Sequence, residues 1–169
     1  MTGKKHSRLR FNMGFLLDAG LGTSRQIDVN YPEVQLEDVL LQPVVGTFQA
    51  TRTSKGIYVA GLLRSFVETD CARCLEDFIQ PIEIELDDLF YFRNTAPEDE
   101  YEVGEDGNVD LGPLVRELSL LAVPMTPFCR PDCLGLCDQC GQNLNEAQCD
   151  CPTDHIDPRL VGLKKLLDN

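Results

Sequence analysis

Apolar and acidic side chains alternate without a break along Ile82-Glu83-Ile84-Glu85-Leu86-Asp87, the period of a strand with one buried face. The pattern predicts a strand over residues 78–92, with Ile82, Ile84 and Leu86 turned inward. Two further β-rich runs precede it, at 44–53 and 57–69. Ser54-Lys55-Gly56 separates them and offers a glycine for the positive φ of a tight hairpin turn. Three such runs with short connections predict an antiparallel meander. Upstream, 8–17 and 27–31 read as strands by composition, with a glycine-bearing loop over 18–24. Positions 32–41 fit neither period, since Val34, Leu36, Val39 and Leu40 match no single template.

Past the meander the period changes. Leu111, Leu114, Val115, Leu118, Leu121 and Ala122 recur at spacings of three and four, which predicts a helix with one apolar stripe. Asp110 is placed to cap it, Pro113 falls in its first turn, and Pro124 and Pro127 end it. The stretch 94–110 before it holds seven acids and reads as a solvated loop or short linker. Residues 1–7 read as a disordered basic arm. The chain from Asp157 reads as a short helix with Leu160, Leu163, Leu166 and Leu167 inward. The expected fold class is α+β: an antiparallel β meander packed with one or two helices, plus a cysteine-rich zinc-binding C-terminal segment. A boundary is expected at 127/128, between a core domain (1–127) and a cysteine-rich tail (128–169).

Composition narrows the class. A hydrophobic share of 43% can build a core, and 28 acidic against 15 basic residues leave a formal charge of −13. Such a charge repels phosphate backbones, so generic coating of nucleic acid is disfavoured. The apolar run at 11–17 is too short and polar for a signal sequence, and no segment reaches the ~20 apolar residues of a membrane span. The expected location is the cytoplasm. In that reducing compartment eight cysteines point to metal ligation or redox work rather than to disulfides.

Their spacing is Cys71-x2-Cys74, then Cys129-x3-Cys133-x3-Cys137-x2-Cys140-x8-Cys149-x-Cys151. Zinc takes four thiolates in a tetrahedron, and a two-residue gap lets one tight turn present two of them. Cys137-Asp138-Gln139-Cys140-Gly141 has the form of a zinc knuckle, with glycine where the chain turns back. Cys149 and Cys151 can supply its second pair, although their one-residue gap is tight. A second set would join Cys71 and Cys74, in the turn between two strands, to Cys129 and Cys133. One or two structural zinc ions are therefore expected. An iron–sulfur cluster and a redox-active Cys71-x-x-Cys74 are the competing readings.

Catalytic signatures are missing: there is no Gly-x-Ser-x-Gly, phosphate-cradling glycine loop or His-Glu-x-x-His. His6 lies in the arm, and His155 reads as a surface residue or as a substitute for Cys151. The expectation is a protein that is not an enzyme. The basic residues Lys4, Lys5, Arg8, Arg10, Arg52, Lys55, Arg64 and Arg73 leave two readings: scattered solubilising charges, or a local patch that contacts RNA.

Several segments, taken in order, resemble the YceD family of large ribosomal RNA subunit accumulation proteins. They are Cys71-Ala72-Arg73-Cys74-Leu75-Glu76, Val109-Asp110-Leu111-Gly112-Pro113-Leu114-Val115-Arg116-Glu117, Leu121-Ala122-Val123-Pro124-Met125 and Gly135-Leu136-Cys137 through Cys140-Gly141 to Asn143-Leu144-Asn145, closing with Cys149-Asp150-Cys151 and Asp157-Pro158-Arg159-Leu160. The resemblance implies a non-enzymatic factor for 23S ribosomal RNA accumulation and large-subunit assembly. Its implied partners are the pre-ribosomal large subunit or a ribosomal protein, with ribosomal RNA a further candidate, and neither DNA nor membrane. The alternatives are a zinc-stabilised regulator that binds nucleic acid, and a thiol–disulfide enzyme using Cys71 and Cys74.

Overall fold

A computed structural model describes residues 9–98 and 100–151. The elements in chain order are β1 (Arg10–Asn12), α1 (Gly14–Leu17), β2 (Ser24–Tyr31), β3 (Val34–Leu36), β4 (Val39–Leu41), β5 (Val44–Arg52), β6 (Gly56–Asp70), β7 (Asp77–Tyr91), β8 (Asn108–Asp110) and α2 (Gly112–Ala122). The expected meander is present and gains a fourth strand, in the antiparallel order β2-β5-β6-β7. Its long hairpin β6–β7 pairs from Gly56↔Tyr91 to Asp70↔Asp77. Ile82, Ile84 and Leu86 are buried with Phe48, Val59 and Leu63, so one sheet face forms the core and the other meets solvent.

Thr53 closes the β5–β6 turn: its Oγ1 accepts from the N–H groups of Lys55 and Gly56. Gly56 is not among the residues of positive φ. What the position requires is close approach, because a Cβ there would stand 2.0 Å from the Phe90 carbonyl oxygen.

Three expectations upstream of α2 change. The strand expected over 8–17 is only β1, followed by the one-turn helix α1. Leu9 and Met13 are buried at the two ends of β1, and the step of three from Met13 to buried Leu16 is that of α1, so no single strand period runs through the segment. Residues 32–41 form a hairpin, β3–β4, whose two-residue turn Glu37-Asp38 breaks the alternation. Val34, Leu36, Val39 and Leu41 point inward there, whereas Leu40 is exposed. The acidic stretch 94–110 is not a plain solvated loop, since β8 pairs with β1 and Val103 and Val109 enter the core. Tyr101 stacks on Phe90 with ring centroids 5.3 Å apart.

In α2, Leu111, Leu114, Val115, Leu118 and Ala122 face the core as expected. Leu121 is 80% exposed; at 100° per residue it stands roughly 80° from the stripe's centre. Buried Ser119 donates its hydroxyl to the Arg116 carbonyl at 2.8 Å. Asp110 sits one residue before the N-cap Leu111, and its Oδ1 accepts from Gly112 N–H at 2.9 Å. No helix among the described residues is long and apolar enough to cross a membrane. The basic arm, His155 and the helix expected from Asp157 lie outside the described residues.

Candidate metal centres

All eight cysteines gather into two groups of four, with the partners that the spacing suggested. Cys71, Cys74, Cys129 and Cys133 form one group, and Cys137, Cys140, Cys149 and Cys151 the other; within each, the sulfurs lie within 4.8 Å of one another. In the first group Cys71 Sγ stands 3.9 Å from Cys133 Sγ, and Cys74 Sγ 3.8 Å from Cys129 Sγ. A disulfide needs about 2.05 Å. A tetrahedron of thiolates about 2.3 Å from one zinc has edges of about 3.8 Å. The donor set therefore fits a single tetrahedral ion. An iron–sulfur cluster must hold several irons and bridging sulfides between its thiolates, and sulfurs this close together leave no room for them.

The first centre is assembled across the chain. Cys71 and Cys74 lie in the turn that joins β6 to β7, where Leu75 takes a positive φ of 60° and its N–H donates to the Cys71 carbonyl. Cys129 and Cys133 arrive from the segment after α2, and Ala72 N–H donates to the Pro127 carbonyl at 2.7 Å. The expected 127/128 boundary thus runs through this centre. Cys71, Cys74 and Cys133 are buried, with Phe78 and Cys129 packed against them, in a cluster separate from the main core.

Arg73 binds the two halves together. Its guanidinium donates to the Pro131 and Cys133 carbonyls and lies 5.2 Å above the Phe128 ring centroid, and its own carbonyl accepts from Leu136 N–H. Sequence reasoning assigned Arg73 to a possible basic patch and missed this task. It also gave no separate role to Asn143 and Asn145. Asn145 Nδ2 donates to Cys133 Sγ at 3.4 Å, while its Oδ1 accepts from Leu134 N–H and Arg130. Asn143 Oδ1 accepts from Asn145, and its Nδ2 reaches Glu76 Oε1 at 2.8 Å. Their signal was proximity to the cysteines in a turn-rich stretch, which carries no direction. Such outer partners orient ligands and tune their basicity.

The second centre is more open. Cys137 is buried, Cys149 and Cys151 are half-buried, and Cys140 is exposed. Gly141 takes a φ of 74°, the left-handed turn expected of the knuckle, and its N–H donates to the Cys137 carbonyl. Gly135, at φ 77°, lies where a Cβ would meet the Arg73 carbonyl at 3.0 Å, so the tail passes tightly over the first centre.

Protons are shared unevenly within each group. Burial opposes charge on Cys71, yet N–H groups of Cys74, Cys129 and Arg73 draw its thiol down to about 6. Burial and the neighbouring thiols push Cys129 up to about 12. In the second group, N–H groups of Cys140 and Gln139 draw Cys137 down to about 7, while Cys140 and burial push Cys151 up to about 12. Cys133 is also lowered: against burial, the Asn145 side chain and the Gly135 N–H favour its thiolate. The first group thus holds two favoured thiolates and the second one, as sites that receive a cation do. The low Cys71 value does not make it a redox nucleophile. Its residue has no exposed surface, and it lies in a strand-to-strand turn rather than at a helix N-terminus.

The basic residues do not assemble into a free patch among the described residues. Arg10 pairs with Asp106, Arg64 with Glu83, and Arg52 stacks on Phe92 at 4.1 Å.

Comparison with known proteins agrees with these motifs. The family model for the large ribosomal RNA subunit accumulation protein YceD matches residues 59–167, nearly two thirds of the chain. The chain belongs to the YceD family. It is 34% identical over 119 residues to an uncharacterized protein of Mycobacterium tuberculosis, covering 68% of this chain and 57% of that one. YlbN of Bacillus subtilis, also uncharacterized, is 35% identical over 100 residues, covering 57% of this chain and 58% of its own. A chloroplastic YCED homolog of Arabidopsis thaliana, named for large ribosomal RNA subunit accumulation, is 26% identical over 147 residues, with 68% and 46% covered. The chain spans less than two thirds of the length of these relatives. No solved structure matches. Both the family model and the plant relative are named for large ribosomal RNA subunit accumulation.

Proposed function

We propose that this protein is a non-enzymatic, cytoplasmic factor that supports 23S ribosomal RNA accumulation by acting on the assembling large ribosomal subunit. Two structural zinc ions would complete its fold. The observation that carries the metal reading is the pair of four-thiol groups with sulfurs within 4.8 Å. Cys71, Cys74, Cys129 and Cys133 would hold one ion, and Cys137, Cys140, Cys149 and Cys151 the other. Neither group supplies an open ligand position or a histidine, as a zinc that activates water needs, so the ions would bear on stability rather than turnover. Family membership supports the biological reading, and the charge of −13 favours contact with basic ribosomal protein over RNA.

Two measurements test the proposal. Metal analysis of the purified, reduced protein should give two zinc ions per chain, and a chain free of metal refutes the centres. Deletion of the gene should lower 23S relative to 16S ribosomal RNA; an unchanged ratio in a clean deletion refutes the assembly role.

A further inference from the structure

We infer that the far half of β6, with the trough beside it, is a docking site for an extended partner segment that alternates apolar and basic residues and adds as a strand. The β5 ladder ends at Val45↔Arg64, yet β6 continues to Asp70 with β7 alone paired to it, while β4 packs nearby without forming a ladder. The direction of the open backbone groups follows from two observations. The Phe66 carbonyl accepts from Gln42 N–H at 3.3 Å, so it points away from β7. Opposite Phe66 on β7 stands Pro81, which has no N–H to give to that ladder position. Backbone polar groups of an antiparallel strand point to alternate sides, so those of Glu68 and Asp70 share Phe66's direction. Among the described residues, nothing beyond Gln42 bonds to this edge.

Against that edge lies an open trough of about 740 Å³, with Leu40, Phe66, Ile79, Leu120, Val123 and Met125 among its walls. Ile79 is 68% exposed and Met125 wholly so. An open strand edge beside exposed apolar walls is what strand addition uses, with main-chain bonds for affinity and side-chain pockets for selection.

Charge selects the occupant. The charged residues that line the trough are Asp38 and Glu68, both acidic. Asp38 is held by Arg116 at 2.6 Å, but among the described residues Glu68 has no basic partner. Asp70 and Asp77 face each other at the end of the ladder, so this edge closes on two further acidic residues. A lysine or arginine laid beside Phe66–Asp70 would meet Glu68 and the acidic end of the ladder while its apolar neighbours entered the trough. Ribosomal proteins are rich in such residues, so the inference deepens the assembly reading and rests on it for the partner's class.

The probe is a fluorescein-labelled peptide of alternating lysine and valine, read by anisotropy against the full chain, with alternating glutamate and valine as control. The lysine peptide should bind in a salt-sensitive manner, and the glutamate peptide should not. Glu68→Pro removes the outward N–H, and should weaken binding about tenfold beyond Glu68→Ala, which removes only the charge. Leu120→Lys, on α2 and clear of the strand, should also weaken it; circular dichroism and zinc content report that each variant is folded. Equal binding of the two peptides, or equal affinity of the two Glu68 variants, overturns the inference. So does a dimer that Leu120→Lys converts to monomer, which makes a second copy the occupant. A rise in affinity on truncation after Cys151 assigns the trough to the chain's own C-terminal segment and overturns it too. Peptide binding and the ribosomal RNA ratio fail independently, so loss of one reading is distinguishable from loss of the other.

Discussion

At the scale of single residues, the clearest consequence concerns Asn145. Its side chain donates to Cys133 Sγ and accepts from Leu134 N–H, so it holds a ligand and the backbone beside it at once. Replacing Asn145 with alanine should weaken metal binding at the first centre by about 10–100-fold, the usual loss when an outer-shell partner is removed. Competition against a chromophoric chelator measures this, and the second centre serves as an internal reference. A different kind of residue effect attaches to Asp77. The pKa of Asp70 is raised through Asp77, so its ionised form is disfavoured in the folded state. For a carboxyl with a raised folded pKa, stability improves as pH falls through that value and is lower above it. Asp77→Asn should therefore raise the melting temperature at neutral pH, with the gain fading as pH falls into the carboxylate range. Thermal melts at several pH values check the sign, and a gain that grows on acidification contradicts the repulsion.

At the scale of elements, α2 is the piece that closes the core, and buried Leu114 lies on its inner face. Leu114→Ala should cost about 2–5 kcal/mol, whereas Leu121→Ala, on the exposed shoulder of the same helix, should change stability little. Urea unfolding of the two variants separates inner face from outer. Leu121 also marks where sequence reading ran out. Spacings of three and four admitted it to the stripe, but only the packing partner decides which edge of a stripe is covered. The β6–β7 hairpin was legible because its alternation persists along Ile82–Leu86 with one face buried. Hairpin β3–β4 was not, because a two-residue turn shifts the phase between two strands of three residues each. The cysteine sets were legible for a chemical reason: thiolates that share one ion must come in fours, and turn spacing restricts which can meet. Asn143, Asn145 and the Arg73 guanidinium were not, since a hydrogen bond to a sulfur or a carbonyl leaves no periodic trace in the chain.

At the scale of the whole molecule, two kinds of interior are joined end to end. The main core is apolar and lies under the sheet, drawing on β1 through α2. The second interior is a cluster of sulfurs with little else, seated beyond the last pair of the β6–β7 ladder. On the proposed metal reading, a segment so poor in buried hydrocarbon would draw its folding free energy from metal binding, whereas the sheet would not. Chelation under reducing conditions should therefore split the molecule's response. Amides over 129–151 should lose protection from hydrogen exchange, together with the Asp70 and Asp77 end of the hairpin, while the centre of β5, β6 and β7 stays protected. The two centres should also part company, because Cys140 is exposed and the first centre is buried. A chelator should empty the second centre first and the first only after Cys71 becomes accessible, giving two kinetic phases of metal release. A single phase with simultaneous loss of exchange protection across sheet and tail shows one cooperative unit instead, and then the thiolate cluster and the apolar core stabilise each other directly.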